Sequence, residues 1–525
     1  MADRKYPIGI QTFSEIIRGG YIYVDKTDLV WQLVHYPKFI FLSRPRRFGK
    51  SLLSTTLEAY FSGEKELFAG LKIMAYEKDW QQYPVMRFDL SGAKHMSVEN
   101  IQKELERLLE PFESSYGRNM NETTPGMRFA GVVERAFAKT GKQVVVIIDE
   151  YDAPLLDVLH NNEQLQQVRE VMQEFYQRLK MLEPKLRFCF ITGITKFSQL
   201  SIFSTINNIT NVTMDAKFGC ICGITEQELN SVLQDDVAQL AIAYETTAEE
   251  MHQKLKVRYD GYQFSEKSEE IYNPYSLMKA FQQQKVANYW FESGTPSFLI
   301  RQLQHFKTDI MSLDRLEAPS SAFDQPTENM EDALPLLYQS GYLTIKDYDR
   351  ESEMYTLGIP NQEVRIGYTQ ELLPAYSGLT SSNVQTGFAL KFWRALKKND
   401  INQALLDMQS YLAGIPYVEG FKKKLEDAAT VEGFYEYTLY LIFSMLNVYV
   451  RTQVKVSGGR TDVVVFMPDV IYVMELKVNG TAQEALNQIR DKGYALPYLS
   501  DGRQVQAVGI SFDIKKRNIA EWKVG

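Results

Sequence analysis

The stretch "KQVVVIIDE", residues 142–150, constrains this chain more than any other. Its β-branched run, Val144 to Ile148, shows no apolar–polar alternation, so the strand it predicts is covered on both faces. A parallel sheet flanked by helices meets that demand. "KFIFLS" (38–43), "PVMRFDLS" (84–91) and "LRFCFITG" (186–193) read as further strands. Helical spacing after Lys50, from Val98 to Phe112 and over about 163–182 fills the intervals. Strand–helix alternation of this kind predicts an α/β doubly wound domain over residues 1–225.

Between the first strand and its helix stands "SRPRRFGKSLL" (43–53), which ends as a phosphate-binding loop ends, in Gly49-Lys50-Ser51. It does not begin as one, because Arg44 holds the place of the first glycine in G-x-x-x-x-G-K-S/T. The chemistry survives that change. Backbone N–H groups and the helix N-terminus receive phosphate, Lys50 reaches the β and γ phosphates, and Ser51 holds Mg²⁺. Arg46 and Arg47 add charge that can face phosphate oxygens. The strand 142–150 then ends in Asp149-Glu150, where the first acid can hold Mg²⁺ and the second can orient and activate the attacking water. Thr192, at the end of the next strand with Lys196 nearby, reads either as a γ-phosphate sensor or as a satisfied loop threonine.

Residues 226–345 are mostly helical and 346–420 are mixed. A last unit, 421–525, holds a helix at 431–447, strand patterns, a helix at 481–493 and a final strand at 505–513. Its chemistry lies in "GGRTDVVVFMPDVIYVMELKV" (458–478). A tight turn at Pro468-Asp469 sets Asp462 opposite Glu475, with Cβ atoms about 4.5–5.5 Å apart, and puts Lys477 on the same face. Two opposed acids on a half-buried sheet repel unless a cation lies between them. Mg²⁺, or Mn²⁺, would polarise a phosphodiester there, with Lys477 orienting water or stabilising developing charge.

Both regions resemble known families. "YPIGIQTFSEIIRGGYIYVDKT", "FLSRPRRFGKSLLSTTLEAYFSG", "VVVIIDEYDAPL" and "YDGYQF…YNPYSLMKAF" resemble the AAA-ATPase-like family of bacterial and archaeal proteins, in which R-P-R-R-F-G-K-S is the loop's own form. The resemblance runs over about 5–285. It implies ATP as cofactor, a P-loop NTPase sheet with a helical, winged-helix-like lid over 226–345, and Asp25-Lys26-Thr27 near the nucleotide. Residues 415–515 resemble the PD-(D/E)XK nuclease superfamily, with Asp462, Glu475 and Lys477 as its motif and Thr461 where the name-giving proline would stand. The resemblance implies that Glu436 completes the metal site and that Gln488 and Lys492 line it. The expected architecture is thus α/β, a P-loop NTPase domain, a lid, a connecting region and a C-terminal α/β PD-(D/E)XK nuclease-like domain.

Composition excludes other classes. The five histidines are scattered without ligand spacing, and no G-x-S-x-G elbow occurs. Three cysteines without framework spacing, no apolar leader and no run of 18 apolar residues predict a cytoplasmic protein with no membrane span. Net charge is −8, but residues 421–525 hold 14 lysines and arginines against 12 acids, so the acidic excess lies before them. The sequence favours an ATPase and Mg²⁺-dependent nuclease acting on nucleic acid, DNA before RNA, and is compatible with a homo-oligomer. Two alternatives stay open: a nucleotide-dependent switch whose nuclease-like domain binds nucleic acid without cutting, and a scaffold unrelated to nucleic acid.

Overall fold

The computed structural model describes residues 4–92, 97–158, 161–196, 209–293, 315–325, 330–377, 394–413, 449–456, 459–478, 480–513 and 518–525, with isolated positions between them. The expected helix over 431–447, and Glu436 with it, lies outside the described residues. The chain divides into two compact units. One comprises residues 1–290, 301–308 and 313–361; the other comprises 291–300, 309–312 and 362–525.

The first unit is built on a five-stranded sheet: β1 (Phe39–Ser43), β2 (Val85–Asp89), β3 (Val144–Asp149), β4 (Leu186–Gly193) and β5 (Ile209–Asn211). All pairings are parallel, in the order β2-β3-β4-β1-β5. Every residue of β3 is buried, as its unbroken apolar run requires. Val144, Val146 and Ile148 join the core formed with the helices Val98–Tyr116, Pro125–Thr140 and Asn162–Met181. The helix Lys50–Phe61 packs on β3 as well, and its Phe61 ring lies 5.2 Å from Phe188 of β4. Each such side chain taken from water contributes about 1.5–3 kcal/mol, so the sheet is a rigid platform for whatever lies at its strand ends.

The same unit carries a two-stranded sheet, β6 (Ile224–Thr225) with β7 (Ile271–Tyr272), beside the helices Ala248–Tyr259 and Pro274–Gln283. Leu229, Leu240, Met251, Leu277 and Phe281 form its core. A three-stranded antiparallel sheet follows, of β8 (Leu316–Ala318), β9 (Thr344–Asp349) and β10 (Met354–Gly358).

The second unit carries β11 (Tyr449–Val456), β12 (Gly459–Phe466), β13 (Val470–Val478), β14 (Gln504–Asp513) and β15 (Asn518–Val524) in sequential order. β13 and β14 are parallel, so the chain must cross over between them. The helix Ala482–Asp491 makes that crossover, started by a capping box in which Thr481 and Glu484 satisfy each other's backbone N–H groups. β15 is an edge strand that the sequence reading did not expect. Only Ile519 is buried along it, so its pattern carries no clear apolar face.

Candidate nucleotide and nuclease sites

The six residues between β1 and the helix Lys50–Phe61 form a loop at the C-terminal edge of the parallel sheet. Gly49 caps the helix at φ 92°, a left-handed conformation that glycine adopts without strain, and leaves Lys50 and Ser51 as the first helical residues. Lys50 is 3% exposed. Its Nζ lies 3.3 Å from the Pro45 carbonyl oxygen and 3.3 Å from Glu150 Oε1. Glu150, directly after β3, has φ 52°, which is unusual for a residue with a side chain.

Asp149 is fully buried, and neither of its carboxylate oxygens has a hydrogen-bond partner. Burial, then the Glu150 and Asp89 carboxylates, push its pKa up to about 6, while Lys50 and the Ser51 hydroxyl oppose the rise. Arg87 Nη1 approaches Asp149 Oδ2 and Asp89 Oδ2, each at 3.6 Å, and Arg87 Nε donates to Glu58 Oε2 at 3.1 Å. Asp89 stands opposite Asp149 in the β2–β3 register. Arg87 is not among the residues that the motifs nominate. Its signal was a lone cation within the apolar run "PVMRF".

The other nominated residues divide. Arg47 lines the same cavity, of about 520 Å³, as Lys50, Ser51 and Glu150. Arg46 is exposed, and its carbonyl accepts from Trp290 Nε1 at 3.3 Å. Thr192 is buried and its hydroxyl donates to the Leu42 carbonyl at 2.7 Å, which ties β4 to β1. Lys26 lines the cavity too, with its Nζ 2.6 Å from Glu228 Oε2. Asp25 instead accepts from Thr27 and from the backbone N–H of Lys72.

Arg44, where a first glycine would stand, is 1% exposed. Nη1 donates to the carbonyls of Ser43 and Thr213, each at 2.9 Å, and Nη2 to that of Phe218 at 3.0 Å; the guanidinium lies 4.1 Å from the Phe264 ring centre. The arginine therefore anchors the loop's first residue to the segment 213–219. That anchoring is a structural role that a glycine could not fill.

In the second unit β12 and β13 pair antiparallel from Val463↔Met474 to Phe466↔Ile471, the register set by the turn at Pro468-Asp469. Continued by one residue, this register brings Asp462 opposite Glu475. There the backbone ladder gives way, and Asp462 Oδ2 accepts the Leu476 N–H at 2.8 Å. Glu475 is 2% exposed. Its Oε1 accepts from Gln488 Nε2 and, at 3.4 Å, from Lys477 Nζ, whereas its Oε2 is buried without a partner. Burial, then the Asp462 charge, raise its pKa to about 8 against the pull of Lys477. Gln488 reaches Glu475 because the helix Ala482–Asp491 lies almost on β14. A Cβ on Gly509 would meet the Ala482 carbonyl oxygen at 2.2 Å.

Among the described residues no group of three or more His, Cys, Asp and Glu side chains is arranged as a cation site. The donors present nevertheless fit hard divalent cations. Asp149 offers two buried oxygens without a hydrogen bond, one of them 3.6 Å from Arg87, beside Ser51, and Glu475 offers one beside Asp462. No helix among the described residues is long and apolar enough to cross a membrane.

Both regions of the chain are matched by known proteins. Residues 7–203 match the family described as "Predicted AAA-ATPase", and residues 430–522 match the PD-(D/E)XK nuclease superfamily. A protein of Azotobacter chroococcum mcd 1, described as "Uncharacterized protein in vnfD 5'region", is 32% identical over 535 residues, covering 100% of this chain and 99% of that one. The chain belongs to the family of AAA-ATPase-like proteins that carry a PD-(D/E)XK nuclease-superfamily domain at the C-terminus.

Proposed function

We propose that the protein is an ATP-hydrolysing, metal-dependent nuclease of the cytoplasm, which cuts nucleic acid at Asp462, Glu475 and Lys477. The observation that carries this reading is the buried, unpartnered Oε2 of Glu475 beside Asp462, with Lys477 and Gln488 holding the other oxygen. An acid so placed is destabilising in itself and becomes favourable when a cation joins it.

At the nucleotide site Lys50 and the first N–H groups of the helix Lys50–Phe61 bind the phosphates, Ser51 and Asp149 would hold Mg²⁺, and Glu150 takes the proton of the attacking water. At the nuclease site Asp462 and Glu475 would hold Mg²⁺ or Mn²⁺, and Glu436 is the proposed third acid. A bound divalent cation supplies charge neutralisation at the phosphate oxygens and a more acidic water. Lys477, held near Glu475, faces the developing charge on the phosphate, and Gln488 fixes the rotamer of Glu475. Water adds to phosphorus, the P–O bond to the leaving strand breaks, and that oxygen takes up the proton.

Plasmid DNA, single-stranded DNA and RNA incubated with Mg²⁺ or Mn²⁺, with and without ATP, test the reading. Cleavage by the wild type and none by Glu475→Ala is expected, with DNA cut in preference to RNA. Metal-dependent binding of nucleic acid without cleavage would replace it by the switch reading.

A further inference from the structure

The guanidinium of Arg47 has a position that phosphate binding alone does not explain. It lies 3.8 Å from the centre of the Tyr275 ring, and Nη1 donates to the Tyr289 carbonyl at 3.1 Å. Tyr275 is the second residue of the helix Pro274–Gln283, and Tyr289 follows that helix. Arg47 has no carboxylate within ion-pairing distance among the described residues, and it lines the cavity that holds Lys50, Ser51 and Glu150. Its backbone is left-handed, with φ 67°, an arrangement that persists only where surrounding contacts hold it.

A guanidinium has five N–H donors in a plane and a flat face that stacks on aromatic rings. Here the face is taken by Tyr275 and one donor by Tyr289, and among the described residues no carboxylate pairs with the cation. An anion in the cavity can meet the remaining donors without displacing the ring, and cation–π stacking of this kind strengthens when water is excluded.

We propose that Arg47 links the phosphates of a bound nucleotide to the helix Pro274–Gln283 through Tyr275, which acts as a positioning residue. This inference rests on the nucleotide site proposed above. Phosphate on one edge of the guanidinium fixes its plane, the fixed plane orders the ring stacked on it, and the ring orders the helix. Tyr275, which itself lines the cavity, thereby favours nucleotide binding through the guanidinium stacked on its ring.

Hydrogen–deuterium exchange of the full-length protein, with and without Mg²⁺·ATP, tests this link. In the wild type, ATP should slow exchange over residues 274–290. Tyr275→Leu should keep ATP binding, with the apparent Kd weakened about tenfold, and lose the slowing. Tyr275→Phe, which keeps a ring face, should restore both. Arg47→Lys should bind ATP more weakly and lose the slowing, because an ammonium cannot stack as a plane. Equal protection of 274–290 by ATP in the wild type, Tyr275→Leu and Arg47→Lys would overturn the link and leave the nucleotide site standing. Absence of ATP binding by the wild type would overturn the nucleotide site itself, and the link with it.

Discussion

Lys50 Nζ and Glu150 Oε1 stand 3.3 Å apart, so the cation suited to phosphate and the carboxylate suited to water are each other's ion-pair partner. The pair is nearly dry, with Lys50 side-chain exposure of 3% and Glu150 of 19%. Whatever binds Lys50 must compete with Glu150 and, in winning, turns that carboxylate loose inside the cavity.

Lys50→Ala should therefore abolish measurable ATP binding, since it removes the attraction for phosphate and leaves Glu150 without its cation. Glu150→Gln should bind ATP at least as tightly as the wild type, having lost the competing charge. Its turnover should fall by about 10²–10⁴-fold, the usual contribution of a positioned general base. Titration calorimetry and phosphate release measure the two effects separately, and undiminished turnover in Glu150→Gln would remove it from that role.

Arg44→Gly would bring the loop closer to the common glycine-first pattern, and it should nevertheless be destabilising. The carbonyls of Ser43 and Thr213 lose the Arg44 donor, that of Phe218 keeps only the Ile221 N–H, and a buried group left unpaired costs about 1–3 kcal/mol. Arg46→Ala, at an exposed position, should leave thermal stability nearly unchanged. Thermal melts that rank the two variants the other way would refute the anchoring role.

Glu475 should make metal-free stability depend on pH. Its folded pKa, about 8, lies above its ordinary value of 4.5. The folded state thus holds the proton more tightly than the unfolded state. The stabilisation is complete below about pH 4.5 and is lost as pH rises through 8, a loss on the order of a few kcal/mol. In EDTA the wild type should melt at progressively lower temperature from pH 6 to 9, and Glu475→Gln should lack that component. Mg²⁺ or Mn²⁺ at pH 8.5 should restore the wild type by mass action and leave Glu475→Gln nearly unaffected. Asp462→Ala should be less stable even without metal, because the Leu476 N–H loses its acceptor. Parallel pH profiles for wild type and Glu475→Gln would show that the acid is solvated.

Gly509→Ala should damage the nuclease site from its far side. The added methyl meets the Ala482 carbonyl oxygen at 2.2 Å and the Leu486 nitrogen at 2.9 Å, both backbone atoms that yield only if the helix moves. Displacing the helix withdraws Gln488 from Glu475, so cleavage should fall while ATP turnover is unchanged. Loss of both activities would point instead to misfolding, which circular dichroism of the same sample reports.

Much of this was legible in the sequence because it follows from short-range rules. The run Val144–Ile148 announced a doubly covered strand, and the turn at Pro468-Asp469 fixed the register that leads to Asp462 and Glu475. The strand order β2-β3-β4-β1-β5 was not legible, since it depends on how the crossovers stack. In sequence Arg44 reads as a residue in the first glycine's place and Arg47 as a charge for phosphate, yet one is buried against carbonyls near residue 215 and the other is stacked on Tyr275. Their partners lie over 160 positions away in the chain, beyond any local pattern. Arg87 was missed for a related reason: its value comes from Asp149 on the neighbouring strand.

The left-handed backbone at Glu150 has a consequence for engineering. A glutamate held at φ 52° is strained, by about 1–3 kcal/mol for such a conformation, whereas glycine or asparagine would sit there at ease. Glu150→Gly and Glu150→Asn would release that strain but strip the buried Lys50 of its ion-pair partner, and breaking a buried pair from one side costs about 3–5 kcal/mol. Selection for thermostability alone should therefore keep the glutamate at that codon, the ion pair outweighing the backbone strain.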